Sequence, residues 1–306
     1  MHAAIVFPGQ GSQFVGMADV WITSEVAAQV LAEATDALGR DVVEGCRDEG
    51  ALATTEFAQP ALLACDVAAF RTLEAAGLAF EGAAGHSLGE FAALVAAGVL
   101  GLADAMRIVA IRGRAMQKAS MTRPGTMAAL LGVGVEDAAA ICEEARGDDV
   151  LLVANENSPH QSVISGSVAA IERAEALASE RGMRAVRLNV AGAFHSPLME
   201  PAVGPLSAAI DEATFEAPAF PVASNVTGAL VSDPQELRTL AKRHVVSPVR
   251  WASCAAALRE EAGTDTFVEA GPGDVLTKLA KRVVPGARAF AVGSPEAAVA
   301  LAAEPG

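Results

Sequence analysis

Ser87 lies in the stretch Gly85-His86-Ser87-Leu88-Gly89, between the apolar run "LAFEGAA" and the helical-looking run "FAALVAAGVL". Glycines two places before and two places after the serine let the backbone turn sharply from strand to helix and leave the hydroxyl exposed at the turn. That is the G-x-S-x-G nucleophile elbow. A pattern of five residues also arises by chance, so a structural turn serine stands beside the nucleophile as an alternative. A nucleophilic serine needs a base within hydrogen-bond reach, and the chain offers five histidines. His2 is terminal, and His86 adjoins the serine but is expected to point to the opposite side of the turn. His160 falls in a hairpin-type loop, and His244 ends a polar helix and reads as a surface residue. His195, in "GAFHSPLM", stands where a strand runs into a loop at the edge of an expected cleft. It is the candidate base, with a satisfied core histidine as the alternative.

A third group sits on the helix after the elbow. Ile108, Val109, Ala115 and Met116 recur at helical spacing as an apolar stripe, and Arg112 falls in its middle, while Arg107 and Arg114 face elsewhere. A guanidinium on a buried face is costly unless an anion meets it, and its planar fork suits a carboxylate. Two partners fit: an internal carboxylate such as Glu90, or a carboxylate on the substrate.

These residues need a scaffold, and the pattern of elements supplies one. "AAIVF" reads as a short buried strand ending in Pro8 and a glycine-rich loop. Helical patterns follow in "EVAAQVLAEATDAL" and "PALLACDVAAFRTLEAAG", with Pro60 as the helix start and Gly77 as the stop, and again after the elbow and from Leu102 to about Met121. This alternation predicts an α/β fold with a parallel sheet covered on both faces. From Thr126 to Val190 the order is strand, helix, strand, strand, helix, strand, the βαββαβ pattern of a ferredoxin-like unit. Residues 126–190 are therefore expected as an inserted small subdomain. Residues 1–125 and 191–306 are expected to form the large domain, with a cleft between the two. The last dozen residues, ending "EPG", read as a frayed tail.

Composition narrows the partners. With 22 basic and 37 acidic residues the formal net charge is −15, which argues against nucleic acid and anionic membrane as partners. The four cysteines are widely spaced and suggest neither a disulfide framework nor a zinc site, so no metal is expected. No long uninterrupted apolar run and no signal-peptide pattern is present, so a cytoplasmic protein is expected, acting as a monomer.

Nine motifs in order, "FPGQGSQ", "QPALL", "GHSLGE", "IRGRAMQ", "NSP", "GAFHSPLM", "SNVTG", "SPVRW" and "EAGPGDVLTKL", resemble the malonyl-CoA:acyl carrier protein transacylases, the acyltransferases of fatty acid and polyketide synthesis. The resemblance covers nearly the whole chain. It implies a large hydrolase-like α/β domain with a ferredoxin-like insert. It also implies Ser87 as nucleophile, His195 as base and Arg112 as clamp on the malonyl carboxylate. The oxyanion hole would be the backbone N–H groups of Gln10 and Leu88. The carbonyl that orients the histidine falls on His244, where the family usually has glutamine. Phe194 would stand near the α-carbon of the acyl group. Ala154, Asn155 and Asn157 would line the cleft, the two asparagines offering amides to the acyl or pantetheine chain. An acidic carrier protein would meet a local basic patch, for which Lys278, Lys281 and Arg282 are candidates, with Arg114 and Lys118 beside them.

What the resemblance implies chemically is a ping-pong transfer of malonyl from coenzyme A to the phosphopantetheine thiol of an acyl carrier protein, through an acyl-serine and without a bound cofactor. Other readings are a free-standing polyketide acyltransferase taking malonyl or a substituted malonyl unit, and an acyl hydrolase on the same fold. A plain serine hydrolase usually carries an acidic residue to orient its histidine and needs no buried Arg112. An inert scaffold would not need Ser87, His195 and Arg112 together.

Overall fold

A computed structural model describes residues 2–304. Ten strands occur among the described residues: β1 (Ala3–Phe7), β2 (Gly82–Gly85), β3 (Thr126–Leu131), β4 (Leu151–Ser158), β5 (Gln161–Gly166), β6 (Arg184–Arg187), β7 (Val222–Ala223), β8 (Leu230–Val231), β9 (Thr266–Ala270) and β10 (Arg288–Val292). Six form one sheet in the order β10-β9-β1-β2-β7-β8, parallel except for the β7–β8 hairpin. Helical crossovers cover both faces, so a central strand must be apolar on both sides. β1 obeys this: Ile5 and Phe7 pack into one cluster with Phe70 and Leu62, while Ala4 and Val6 pack into the other with Trp251 and Phe267.

The remaining four strands form an antiparallel sheet in the order β4-β5-β3-β6, backed by helices Val135–Arg146 and Val168–Glu180. This is the expected ferredoxin-like order. Ala128, Leu130 and Ile164 face the helices, with Ile141 and Ile171 opposite, while Met127, Ala129 and Val163 on the other face join the main core. β4 is bulged around Asn155, where it leaves strict register with β5. There Glu156 N–H donates to the Val249 carbonyl at 2.9 Å and Val249 N–H to the Ala154 carbonyl at 2.8 Å. The bulge thus laces the small sheet to the segment before helix Trp251–Glu260.

Two expectations are corrected. The helix expected to start at Pro60 starts at Thr55 and runs to Ala75, because Thr54 caps it by accepting from Phe57 N–H and Phe57 and Ala58 are buried. Pro60 lies inside it, at the cost of one backbone bond. The last dozen residues are not frayed throughout. Ser294 caps helix Pro295–Ala302, which buries Ala298 and Leu301; Pro305 and Gly306 lie outside the described residues. No helix among the described residues is long and apolar enough to cross a membrane.

Candidate active site

The elbow depends on its glycines. A Cβ on Gly85 would sit 1.8 Å from the Gly89 carbonyl carbon, and one on Gly89 would sit 2.2 Å from the Phe7 carbonyl oxygen. Only bare backbone lets helix Gly89–Ala96 leave β2 this tightly. Ser87 takes the left-handed conformation, φ 52°, and His195 does too, φ 58°; no other non-glycine residue among the described ones has positive φ. Asn225 straps the turn. Its Oδ1 accepts from Ser87 N–H at 2.8 Å, its Nδ2 donates to the Gly85 carbonyl at 2.7 Å, and its own N–H donates to Glu90 Oε2 at 2.7 Å.

His195 stands 2.7 Å from Ser87 Oγ through Nε2. On the other side, Nδ1 meets the carbonyls of Ser247 at 2.9 Å and His244 at 3.1 Å. Carbonyls only accept, so Nδ1 carries the hydrogen and Nε2 presents its lone pair to the serine hydroxyl. The expected His244 carbonyl is in place, and the nearer Ser247 carbonyl joins it. Burial, followed by the Arg112 charge, pushes the His195 imidazole down to about 3. Burial also pushes the Glu90 carboxyl up to about 7. In a Glu90→Gln background, therefore, kcat/KM for acyl loading is expected to stay level as pH falls from about 8 to about 5. An acid limb near the ordinary histidine value of about 6.5 would mean that His195 is not desolvated.

Arg112 is fully buried on helix Leu102–Thr122, at the predicted place in the apolar stripe. It does not pair with Glu90, whose oxygens go to Asn225 N–H and Ser224 Oγ; among the described residues no carboxylate lies within 4.0 Å of the guanidinium. Its partners are neutral. Nη1 donates to Gln59 Oε1 at 2.7 Å, and Nη2 donates to Ser87 Oγ at 3.1 Å and faces His244 Nδ1 at 3.3 Å, while Nε meets no acceptor. Burial lowers its affinity for a proton to a pKa of about 10, which still leaves it cationic near neutrality. A buried cation held only by neutral acceptors beside a nucleophile is a place for an anionic group.

Gln10 reaches the same spot because Gly9 lets its loop approach the elbow, where an added Cβ would sit 2.4 Å from the His86 carbonyl oxygen. Among the described residues neither Gln10 N–H nor Leu88 N–H donates to a protein acceptor, whereas the neighbouring amides of His86, Ser87 and Gly89 all do. A cavity opens over Ser87 and His195, lined by Gln10, Met116, Asn155 and Phe194 among others. Asn155 is buried with an unpartnered Oδ1. Asn157 is set back from the cavity lining, holding His86 Nε2 at 2.9 Å through its Oδ1, and Ala154 is fully buried with its carbonyl in the bridge to Val249. His86, expected on the far side of the turn, lines this cavity too, because the elbow turns its ring toward β4. His244, expected at the surface, is 1% exposed, since a short helical turn at His244–Val246 tucks it back under the site. Asn225, Gln59, Ser247 and the His244 ring are the site groups that sequence reasoning missed.

The basic helix contributes no residue to the lining of this cavity. Lys281 and Arg282 are exposed at the end of Val275–Val283 and, among the described residues, meet no carboxylate, whereas Lys278 pairs with Asp274 at 2.7 Å and Arg114 with Glu56 at 3.0 Å. At 1.5 Å per residue, Lys281 stands about 9 Å along the helix from its start near the Gly273 turn. All four cysteines are buried and unpaired, and no group of three His, Cys, Asp or Glu residues that could hold a metal ion occurs among the described residues.

Residues 4–298 match the model of the family described as "Acyl transferase domain". The malonyl CoA-acyl carrier protein transacylase of Escherichia coli strain K12 is 40% identical over 304 residues, covering 97% of each chain. The structure of an acyl-carrier-protein S-malonyltransferase from Burkholderia pseudomallei 1710b superimposes with a TM-score of 0.94 at 38% identity over 99% of both chains. A malonyl-transacylase solved in complex with its type II PKS acyl-carrier protein gives a TM-score of 0.93 at 38% identity, over 98% of both chains.

Proposed function

The chain belongs to the acyl transferase domain family, and we propose that it moves a malonyl group from coenzyme A to the phosphopantetheine thiol of an acyl carrier protein, with Ser87 carrying the group between them. One observation carries the assignment of residues: Ser87 Oγ lies within hydrogen-bond reach of both a neutral imidazole and a buried guanidinium that meets no carboxylate. The serine donates to His195 Nε2 and accepts from Arg112, so its oxygen is aimed and polarised before substrate arrives.

Oγ attacks the thioester carbon as its proton passes to His195 Nε2. The carbonyl oxygen takes up negative charge facing the amides of Gln10 and Leu88. The tetrahedral adduct collapses, the carbon–sulfur bond breaks, and the proton on Nε2 goes to the departing coenzyme A sulfur. The carrier thiol repeats the sequence in reverse, giving its proton to His195 and leaving Ser87 free with that proton restored. The distal malonyl carboxylate meets Arg112 throughout, Phe194 borders the α-carbon, and Asn155 offers its amide to the chain. The Ser247 and His244 carbonyls stabilise the imidazolium that forms in each half-reaction.

Intact-mass measurement tests this directly. After mixing with equal malonyl- and acetyl-CoA the protein is expected to gain the mass of one malonyl group, and to pass it to added holo carrier protein. Release of free malonate faster than transfer would identify an acyl hydrolase instead.

For the acceptor, Lys281 and Arg282 are adjacent exposed cations that, among the described residues, meet no carboxylate, on a chain whose net charge is −15. Reversing both to glutamate is expected to weaken transfer to the carrier protein, with a shallower salt dependence, while loading from coenzyme A is spared. Equal loss of both half-reactions would remove the patch from consideration.

A further inference from the structure

We propose that the His244 side chain, and not only its carbonyl, is a positioning residue that aims the Arg112 guanidinium at the acyl group on Ser87, resting on the reading of Arg112 as partner of the substrate carboxylate. The ring is wedged between the clamp and the elbow. Nδ1 faces Arg112 Nη2 at 3.3 Å, and Nε2 faces Asn225 Oδ1 at 3.4 Å and Glu90 Oε2 at 3.6 Å. Phe91 closes one side with its ring edge-on, the centroids 6.1 Å apart.

A guanidinium can only donate, so Nδ1 must offer a lone pair and the ring hydrogen must lie on Nε2, toward the two oxygens. A protonated ring would set N–H against N–H. Burial, then the Arg112 charge, holds the His244 imidazole well below the ordinary histidine range, which keeps it neutral.

Counting hydrogens shows what the ring does. Each terminal nitrogen of Arg112 carries two. Nη1 gives one to Gln59 and Nη2 gives one to His244, leaving on the terminal pair one on Nη1 and the one now on Ser87 Oγ, with the Nε hydrogen free besides. A bidentate carboxylate takes one hydrogen from each terminal nitrogen, so Gln59 and His244 hold the two flanks while the remaining pair serves the acyl group. Asn225 Oδ1, on the far side of the ring, is also the acceptor for Ser87 N–H. The ring thus ties the clamp to the atom that fixes the nucleophile's backbone. Without it the guanidinium loses lateral restraint, and a carboxylate must order it on binding.

His244→Leu removes the acceptor and retains the main-chain carbonyl that His195 uses; His244→Gln restores an acceptor on a flexible stem. The malonyl-to-acetyl ratio of kcat/KM for loading is expected to fall about fivefold to tenfold in the leucine variant, mainly through a higher KM for malonyl-CoA, and to recover largely in the glutamine variant. Equal loss for both acyl groups, or an unchanged ratio, would overturn the proposal. Should the leucine variant not fold, 15N spectra of the histidine rings in the unaltered protein decide. A neutral ring with hydrogen on Nε2 is expected for His244, and hydrogen on Nδ1 would overturn the proposal. Arg112→Ala separates the two layers: if it shifts the ratio and His244→Leu does not, only the role of the ring fails, whereas no shift in either removes the reading beneath it.

Discussion

Ser87→Ala is expected to abolish the covalent acyl-enzyme completely, and His195→Ala to slow its formation by roughly three to six orders of magnitude, the range seen when one member of a coupled nucleophile and base is removed. The 2.7 Å contact between Ser87 Oγ and His195 Nε2 makes them one unit, so adding His195→Ala to Ser87→Ala should cost nothing further. Ser87→Ala deletes one oxygen from a half-buried position, so its unfolding midpoint should stay close to the parent's. Quenched-flow labelling with malonyl-CoA, read as intact mass, measures the effect. A malonyl adduct persisting in Ser87→Ala would place the nucleophile elsewhere and dismantle the assignment.

Arg112→Ala is expected to reduce malonyl loading by about 30-fold or more, the scale of about 2 to 5 kcal/mol for breaking a buried, hydrogen-bonded charge pair. Acetyl loading should stay level or rise. The reason lies in His195, whose basicity is depressed first by burial and next by the Arg112 charge. With malonyl bound, the distal carboxylate offsets that charge and lets the imidazole accept the serine proton more readily. Acetyl brings no such compensation, so removing the arginine relieves it. Arg112→Lys should recover only part of the malonyl rate, because a point charge cannot supply two parallel N–H bonds and its ammonium would lose the Gln59 and His244 flanks. Loading rates for both thioesters in parent, alanine and lysine proteins provide the measurement. An unchanged malonyl-to-acetyl ratio in Arg112→Ala would reduce the arginine to a structural element.

The groups legible in the sequence are those whose signal lies in side-chain type and local spacing. Gly85 and Gly89 mark the elbow because no other residue fits where their Cβ atoms would go. Arg112 is legible because it interrupts an apolar stripe of period 3.6, and the small sheet because its strands and helices alternate in a distinctive order. The Ser247 carbonyl had no such signal, since every residue has a carbonyl and only the path of the chain decides which one His195 meets. The His244 ring was hidden by its sequence neighbours: the polar helix Pro234–Arg243 is amphipathic, but the tight turn after it reverses the chain and buries the ring. Asn225 and Gln59 act through partners 138 and 53 residues away in sequence, beyond any window of local periodicity. For the C-terminal helix the signal existed in Ser294-Pro295-Glu296, a capping serine followed by proline and an acid in the first turn, and alanine richness masked it.

Ser87 and His195 hold a backbone conformation that costs an L-residue roughly 1 to 3 kcal/mol and glycine almost nothing. Glycine at either position would ease the fold and end the chemistry, so endurance and competence pull in opposite directions at these two places, the two non-glycine residues with positive φ among the described ones. A library of variants sorted only by survival of heat would therefore drift toward well-folded, inert chains here. Selection for turnover has to act continuously to keep the pair, which makes the reactive centre the part of the molecule first lost when that selection lapses.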